Sequence, residues 1–447
     1  MTLLSKGAID LDLSDDEVKS LFAEALSKAL HSKATLGEIK NSGPVLILPP
    51  DITRFHSRGG FLTDIAAGEL GSRLGAVMPA LGTHVPMTAE ELNRMYPQTP
   101  HNLFRAHDWR NDIVTLGHIE GSWVENATEG KVRYDWPVQV NKLLLEGGFS
   151  MLLSVGQIVP HEVIGMANHA KNILIGVGGK EAIDKSHFAG ASFGMEKMMG
   201  RTDTPVRAML DEGLKRFGNQ LPPILYALTV LSPRSDKEAD KAGKPRGSSA
   251  MRGIYVGFGR ECFEQAAALS REVNVDILDE PIKKAVVYLE PEEFRTTWLG
   301  NKAVYRTRMA MDDGGELLVL APGLERFGED EGVDKLIRKF GYRTSKVILK
   351  KAEEEKELAE NLSVAAHLIH GSSEERFTVR YCPGPKVSRA EIESVGFEWG
   401  SLNDAMARYD ITKLKLGWND MSGGERIFFV PNPALGLWAE RSRFGKS

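Results

Sequence analysis

Three histidines and three lysines share one glycine-broken stretch, PHEVIGMANHAKNILIGVGGKEAIDKSH, running from Pro160 to His187. The imidazoles are His161, His169 and His187, and the amines are Lys171, Lys180 and Lys185. Gly165, Gly176, Gly178 and Gly179 interrupt them. Imidazole titrates near neutral pH and binds metals through either ring nitrogen. An amine holds phosphate when charged and becomes a nucleophile when it loses its proton. Three chemistries therefore compete for this stretch: a metal site, a phosphate loop, or a covalent cofactor anchor flanked by acid–base groups.

The phosphate loop fits worst. A P-loop needs Gly, four residues, then Gly-Lys-Ser/Thr. Here Gly179-Lys180 is followed by Glu181, and Leu174 stands where the first glycine belongs. GVGGKE and GFGREC also lack the third glycine of a dinucleotide fingerprint. The metal reading has no HExxH helix behind it. A three-His site gathered from separate loops stays open, and would make the chain a metal-dependent hydrolase. Each group also has a plain reading. Asp51 can cap a turn, Arg54 can sit in a surface ion pair, Lys171 can be solvated, and a histidine can bond to loop backbone. A ligand-binding protein without catalysis is the corresponding reading of the whole chain. His31, His101, His107, His118, His367 and His370 are left with the plain reading.

The elements that must carry these groups follow an α/β pattern. Ser14 and Glu17 have capping-box spacing, and Val18, Leu21, Phe22, Ala25, Leu26, Ala29 and Leu30 recur at helical period. VLIL at 45–48 reads as a buried strand closed by Pro49-Pro50. Phe61 to Leu74 reads as a helix, 76–81 and 112–119 as strands, and Thr88 as an N-cap. Strand, polar loop and amphipathic helix alternate, as in layered folds with a mostly parallel sheet. Ligands sit at the carboxyl ends of such strands. Asp51, Arg54, His84 and His161 each follow an expected strand. Residues 233–252 are charged and apolar-poor, and read as an exposed loop or hairpin insertion. Gly253–Gly259 reads as a strand and 262–273 as a helix. A second α/β unit opens at KAVVYLEP, with a helix over 294–311, a strand over 316–322, and a charged helix over 350–362. The expected fold is α/β in two domains, 1–275 and 276–447. Each is a mostly parallel sheet flanked by helices, with the active site in the interdomain cleft.

Composition narrows the function classes. The 447 residues are 42% hydrophobic and 26% charged, with net charge -5. That is globular, and it gives no basic tail for nucleic acid. Only Cys262 and Cys382 are present, so neither a disulfide framework nor a cysteine-rich zinc site is expected. No run reaches the ~18 apolar residues of a membrane helix. A cytoplasmic location without a membrane partner is the expectation.

Four motifs in order resemble the nickel-pincer lactate racemase family and its 2-hydroxyacid racemase and epimerase relatives. They are PPDITR for a D-x-T-R segment, LGTHVPMT for Gly-x-His-x-Pro-x-Thr, and VNKLLLEGGFSMLLSVGQIVPH leading to a second histidine. The fourth is a lysine ten residues later followed by a histidine sixteen beyond it. The resemblance implies that Lys171 holds a nickel-pincer nucleotide covalently. That cofactor is a pyridinium-3-thioamide-5-thiocarboxylate mononucleotide, which clasps nickel through two sulfurs and a ring carbon. His187 would complete the nickel ligation. Asp51 would support the cofactor region, and Arg54 would contact the substrate carboxylate. His84 and His161 would flank the substrate as proton-transfer groups, and Lys302 in TWLGNKAVYRT would be a carboxylate-side lysine from the second domain. Cofactor-building enzymes would be the partners.

The implied reaction is inversion at C2 of a 2-hydroxy acid. The hydrogen on that carbon is weakly acidic beside a carboxylate, so hydride removal to a planar keto acid avoids a carbanion. Imidazoles suit the accompanying proton transfer. His56, Ser57 and Arg58, which follow where the lactate enzymes have proline, add hydrogen-bonding capacity. They hint at an aldonate such as gluconate or mannonate, with lactate or malate as the rival substrates.

Overall fold

A computed structural model describes residues 1–31, 43–245 and 248–444. The chain divides into two compact units. One comprises Met1–Ser186 and Met199–Asn274, the other His187–Met198 and Val275–Ser447.

The first unit is built on a six-stranded sheet. Its strands are β1 (Thr2–Gly7), β2 (Val45–Leu48), β3 (Leu74–Val77), β6 (Met151–Gln157), β9 (Ile224–Pro233) and β10 (Ser249–Phe258). β4 (Ile113–Ile119), β5 (Trp136–Asn141), β7 (Pro160–His161) and β8 (Gly165–Met166) lie outside it. The spatial order is β1-β10-β9-β6-β2-β3. β9, β6, β2 and β3 run parallel, and β10 and β1 extend the sheet antiparallel. All four residues of β2 are buried, as a strand covered on both faces requires. Val18, Phe22 and Leu26 of the helix Asp15–His31 share a core with Ile47, Leu153 and Ile254. That helix starts at the expected box: the Glu17 amide donates to Ser14 Oγ and the Ser14 amide to Glu17 Oε2.

Two expectations shift. The 112–119 strand exists, but it pairs only with β5, in an antiparallel ribbon. Its burial is partial and irregular, unlike that of the continuously buried β2 and β6. The insertion at 233–252 is a hairpin between β9 and β10 that also holds the helix Asp236–Ala242, started by a Ser235–Glu238 capping box. Residues 246 and 247 of that stretch lie outside the described residues.

The second unit has its own six-stranded sheet of β12 (Ile282–Tyr288), β13 (Met311–Ala321), β14 (Thr378–Pro383), β15 (Glu398–Trp399), β16 (Gly417–Asp420) and β17 (Arg426–Val430). The order is β15-β14-β13-β12-β17-β16, parallel except for β16. A parallel pair, β11 (Val275–Leu278) with β18 (Leu437–Glu440), stands apart from it. Strand alternation feeds two cores. Ala285, Val287, Leu317 and Val319 enter one, and Val286, Leu318 and Leu320 the other.

The expected helix over 294–311 is two short helices, Thr297–Gly300 and Lys302–Thr307, and the chain is already strand at Met311. Asn301 stands between them with right-handed helical backbone, its side-chain oxygen accepting from the Tyr381 hydroxyl at 2.7 Å. The charged 350–362 helix is likewise broken. Ser345–Glu354 ends at Glu355, whose backbone is extended, and Lys356–Ala359 and Leu362–His370 follow.

Candidate active site

The parallel strands β2, β3 and β6 deliver their carboxyl ends to one edge of the first sheet. Asp51 leaves β2 through Pro49-Pro50, and the Tyr96 hydroxyl donates to the Pro50 carbonyl. Asp51 does not cap the short 3-10 turn that follows with its side chain. Instead its carboxylate accepts from Thr53 Oγ1 at 2.5 Å and lies 2.6 Å from His84 Nδ1. Burial pushes this carboxyl up, but His84, Thr53 and Arg54 together outweigh that and hold it below the usual range. The loop carrying His84 is stapled from both sides. Ala80 N–H donates to the Pro49 carbonyl at 2.8 Å, and Gly82 N–H to the Gly176 carbonyl at 2.8 Å.

Arg54 is half-buried and, among the described residues, makes no ion pair. The surface-pair reading therefore does not describe it. Ser57 and Arg58 do not join it. Ser57 is fully buried, taking the Gly59 amide on Oγ and the Thr229 hydroxyl on its carbonyl. Arg58 has a left-handed backbone, pairs with Asp15 and stacks on Phe61.

His161 ends β7, which pairs tightly with β8, opposite Gly165. Its ring is buried, and Nδ1 accepts the Val163 amide at 3.1 Å. Glu162 Oε2 is 3.8 Å from the same nitrogen.

The three lysines of the motif separate cleanly. Lys180 pairs with Asp184, and Lys185 with Glu181 at 2.6 Å, both as i,i+4 helix pairs. Lys171 makes neither a hydrogen bond nor an ion pair among the described residues. Burial, reinforced by Arg54 and Arg207 against the opposing pull of Glu162 and Asp51, lowers its ammonium to about 8. At pH 7 about a tenth of such amines are uncharged, far more than for a free lysine.

The backbone around Lys171 is held in an uncommon shape. Asn168 and His169 are consecutive non-glycine residues with φ 63° and 59°. Lys171 is followed by a π-helical turn, Asn172–Gly176, a form concentrated at functional sites. Asn172 Nδ2 donates to the Leu48 carbonyl and to Ser154 Oγ, each at 2.9 Å, tying the turn to the ends of β2 and β6. Arg207, wholly buried on the helix Pro205–Phe217, donates to the carbonyls of Met166 and Asn168 and stacks on Phe263. Burial first, then Arg207, pushes His169 down to about 3. Its ring lies between Tyr226 at 4.2 Å and Phe263 at 5.1 Å. His169 is thus a packing histidine.

The motif's glycines serve packing. A Cβ on Gly178 would sit 2.0 Å from the Leu174 carbonyl oxygen, and one on Gly179 2.4 Å from Gln139 Oε1. Among the described residues no three His, Cys, Asp or Glu side chains converge as a closed metal cage needs. His187 is half-exposed on the helix Lys180–Phe193. His187 and Lys302 both belong to the second unit. Lys302 is buried on its short helix, with Nζ 5.5 Å from the Phe294 ring centroid.

Sequence reading missed Glu162, Asn172 and Arg207. Arg207 lies far along the chain from the loop it holds, and only the docking of its helix reveals the role. The π-helical turn has no sequence signature.

Residues 12–199 match the family model described as the lactate racemase N-terminal domain. No curated protein matches the sequence. Among solved structures, a protein from Thermotoga maritima superposes with a TM-score of 0.75 at 21% identity, covering 96% of this chain and 100% of that one. The lactate racemase apoprotein from Thermoanaerobacterium thermosaccharolyticum superposes at 0.67 with 14% identity, covering 98% of this chain and 94% of that one. At those identities the superpositions speak for the α/β fold. The family match falls on the segment that carries Asp51, Arg54, His84, His161, Lys171 and His187, and over that segment the chain is similar to the lactate racemase N-terminal domain.

Proposed function

We propose that this protein is an isomerase that inverts C2 of a 2-hydroxy acid, using a nickel-pincer nucleotide tethered to Lys171 with His187 as the protein's nickel ligand. The observation that carries the reading is the Lys171 amine, half-buried beside the π-helical turn, without a hydrogen bond or ion pair among the described residues, and lowered to about 8. When bound, such a cofactor accepts and returns hydride. The chain's own residues do the rest. Arg54 offers an uncommitted guanidinium, which binds carboxylate in bidentate fashion. His84 takes the hydroxyl proton at Nε2 while Asp51 steadies the charged ring. His161 addresses the substrate oxygen from a buried position.

Short acids such as lactate or malate move ahead of aldonates as substrates. The aldonate reading leaned on His56, Ser57 and Arg58, and two of these are committed to the fold.

The test is to produce the protein alongside cofactor-building enzymes and measure intact mass, nickel content and racemisation of lactate, malate and gluconate. A mass adduct mapped to Lys171, near-stoichiometric nickel and inversion of one of these acids are expected. An unmodified Lys171 together with stoichiometric zinc would replace the reading with a metal hydrolase.

A further inference from the structure

The second unit holds a cavity of about 320 Å³ at the amino ends of β14 and β15. None of the candidate active-site residues lines it. Phe377 and Phe397 give it a buried aromatic wall. Phe397 is fixed by stacking on Tyr342 at 4.6 Å and on Tyr381 at 4.8 Å between ring centroids.

Three charged side chains line the same cavity, and their commitments differ. Glu398 is paired with Arg380 at 2.7 Å. Arg343 and Glu375 enter no ion pair among the described residues. Arg343 is nevertheless placed. Its Nη1 lies over Gly396, where a Cβ would come within 1.9 Å of it, and Gly396 itself has φ 98°. The guanidinium's bonds to the carbonyls of Tyr342 at 3.3 Å and Ser394 at 3.4 Å are long, so its donors stay open to a stronger acceptor. Glu375 is placed by its backbone. Glu374 and Glu375 are consecutive non-glycine residues at φ 53° and 60°. The Glu374 amide donates to Ser372 Oγ at 3.0 Å, and its carboxylate takes the Ser345 amide at 2.8 Å and the Ser345 hydroxyl at 2.9 Å. Glu374 thus fastens the strained turn, and the next carboxylate is left to the cavity. Strained backbone of this kind gathers at ligand sites.

We infer that this cavity binds a small zwitterion, an α-amino acid with an apolar side chain. Its carboxylate meets Arg343, its ammonium meets Glu375, and its side chain lies against Phe377 and Phe397. One uncommitted cation and one uncommitted carboxylate match a ligand of zero net charge. A plain acid would face repulsion from Glu375, and a plain amine repulsion from Arg343. The volume is at the small end for ligand cavities, which suits leucine or phenylalanine. Binding there needs neither cofactor nor turnover, so it stands or falls apart from the isomerase reading.

Calorimetry of the full-length protein with L-leucine and L-phenylalanine tests this. At least one should bind saturably, one per chain, with Kd below about 1 mM. The analogues without the amine (isocaproate, hydrocinnamate) and without the carboxylate (isoamylamine, phenethylamine) should bind about tenfold or more weakly. R343M and E375Q should each weaken the amino acid by about tenfold, while E375Q should bind the deaminated acid at least as well as wild type does. Both side chains are exposed, so the variants should fold, and thermal unfolding without ligand checks that. No saturable binding of either amino acid at about 10 mM overturns the inference. So does binding unchanged in R343M or E375Q. A deaminated acid that binds as tightly as its amino acid also overturns it, and makes the cavity an anion site.

Discussion

Asp51 shows how a single carboxylate can set a site's chemistry. It is buried, accepts from Thr53 and fixes the proton of His84 on Nδ1. D51N should leave the fold intact, since an amide fills the same space. Kcat should fall about 100- to 10,000-fold, because an amide nitrogen turned toward the ring favours the wrong tautomer. KM should change little, and steady-state kinetics of the loaded enzyme would show the split. Lys171 gives a pH prediction. In the apoprotein its acylation by a small anhydride, mapped by peptide mass, should rise with a midpoint near pH 8, well below the surface lysines. The sign for stability follows. Between pH 8 and the ordinary lysine range the unfolded chain holds a proton that the folded chain has lost, so folding is favoured as pH rises there. Thermal unfolding of K171M apoprotein should lack that rise and should be the more stable at pH 7. The types of these residues were visible in the sequence, but their partners were not. Asp51 and His84 meet because β2 and β3 are neighbours, and no local pattern says which polar groups two adjacent loops bring face to face.

At the scale of elements, the carboxyl end of β2 was legible because a short apolar run closed by proline marks a buried strand, whereas the strand expected at 76–81 is β3 at Leu74–Val77 and ends earlier. The capping box at Ser14 and the N-cap at Thr88 were legible for the same local reason, and at Thr88 the structure adds Glu91 to complete a capping box. Longer helices were read less well. The 294–311 and 350–362 patterns kept helical period, but the structure divides them into shorter helices, at Asn301 and at the extended Glu355. The anchor loop is the element with the most at stake. Arg207 bonds the carbonyls on either side of Ala167 and lies against Phe263. R207M keeps the bulk and removes both bonds, so it should destabilise the protein by about 3 kcal/mol. It should also raise the Lys171 acylation midpoint, because the Arg207 charge that helps to lower the amine is gone. Urea unfolding and the same acylation assay measure the two effects.

For the whole molecule, the chain passes between units at residues 186–187, 198–199 and 274–275. The segment His187–Met198 supplies Ala191 to the second unit's core, with Phe188 packed against it. A fragment of residues 1–274 should therefore bind a hydrophobic dye more strongly than the full chain at equal concentration, and the same fragment with F188S should bind less. Fluorescence titration would show both. The left-handed pair Asn168–His169 has a consequence for maturation. Each such residue costs roughly 1–2 kcal/mol, and that cost is offset only after the buried guanidinium and the aromatic slot are in place. A nascent or misfolded polypeptide offers an ordinary, fully charged lysine at this position. The Lys171 amine becomes chemically distinct from the other lysines only once its surroundings have assembled, so a reagent that senses basicity would select correctly finished molecules alone.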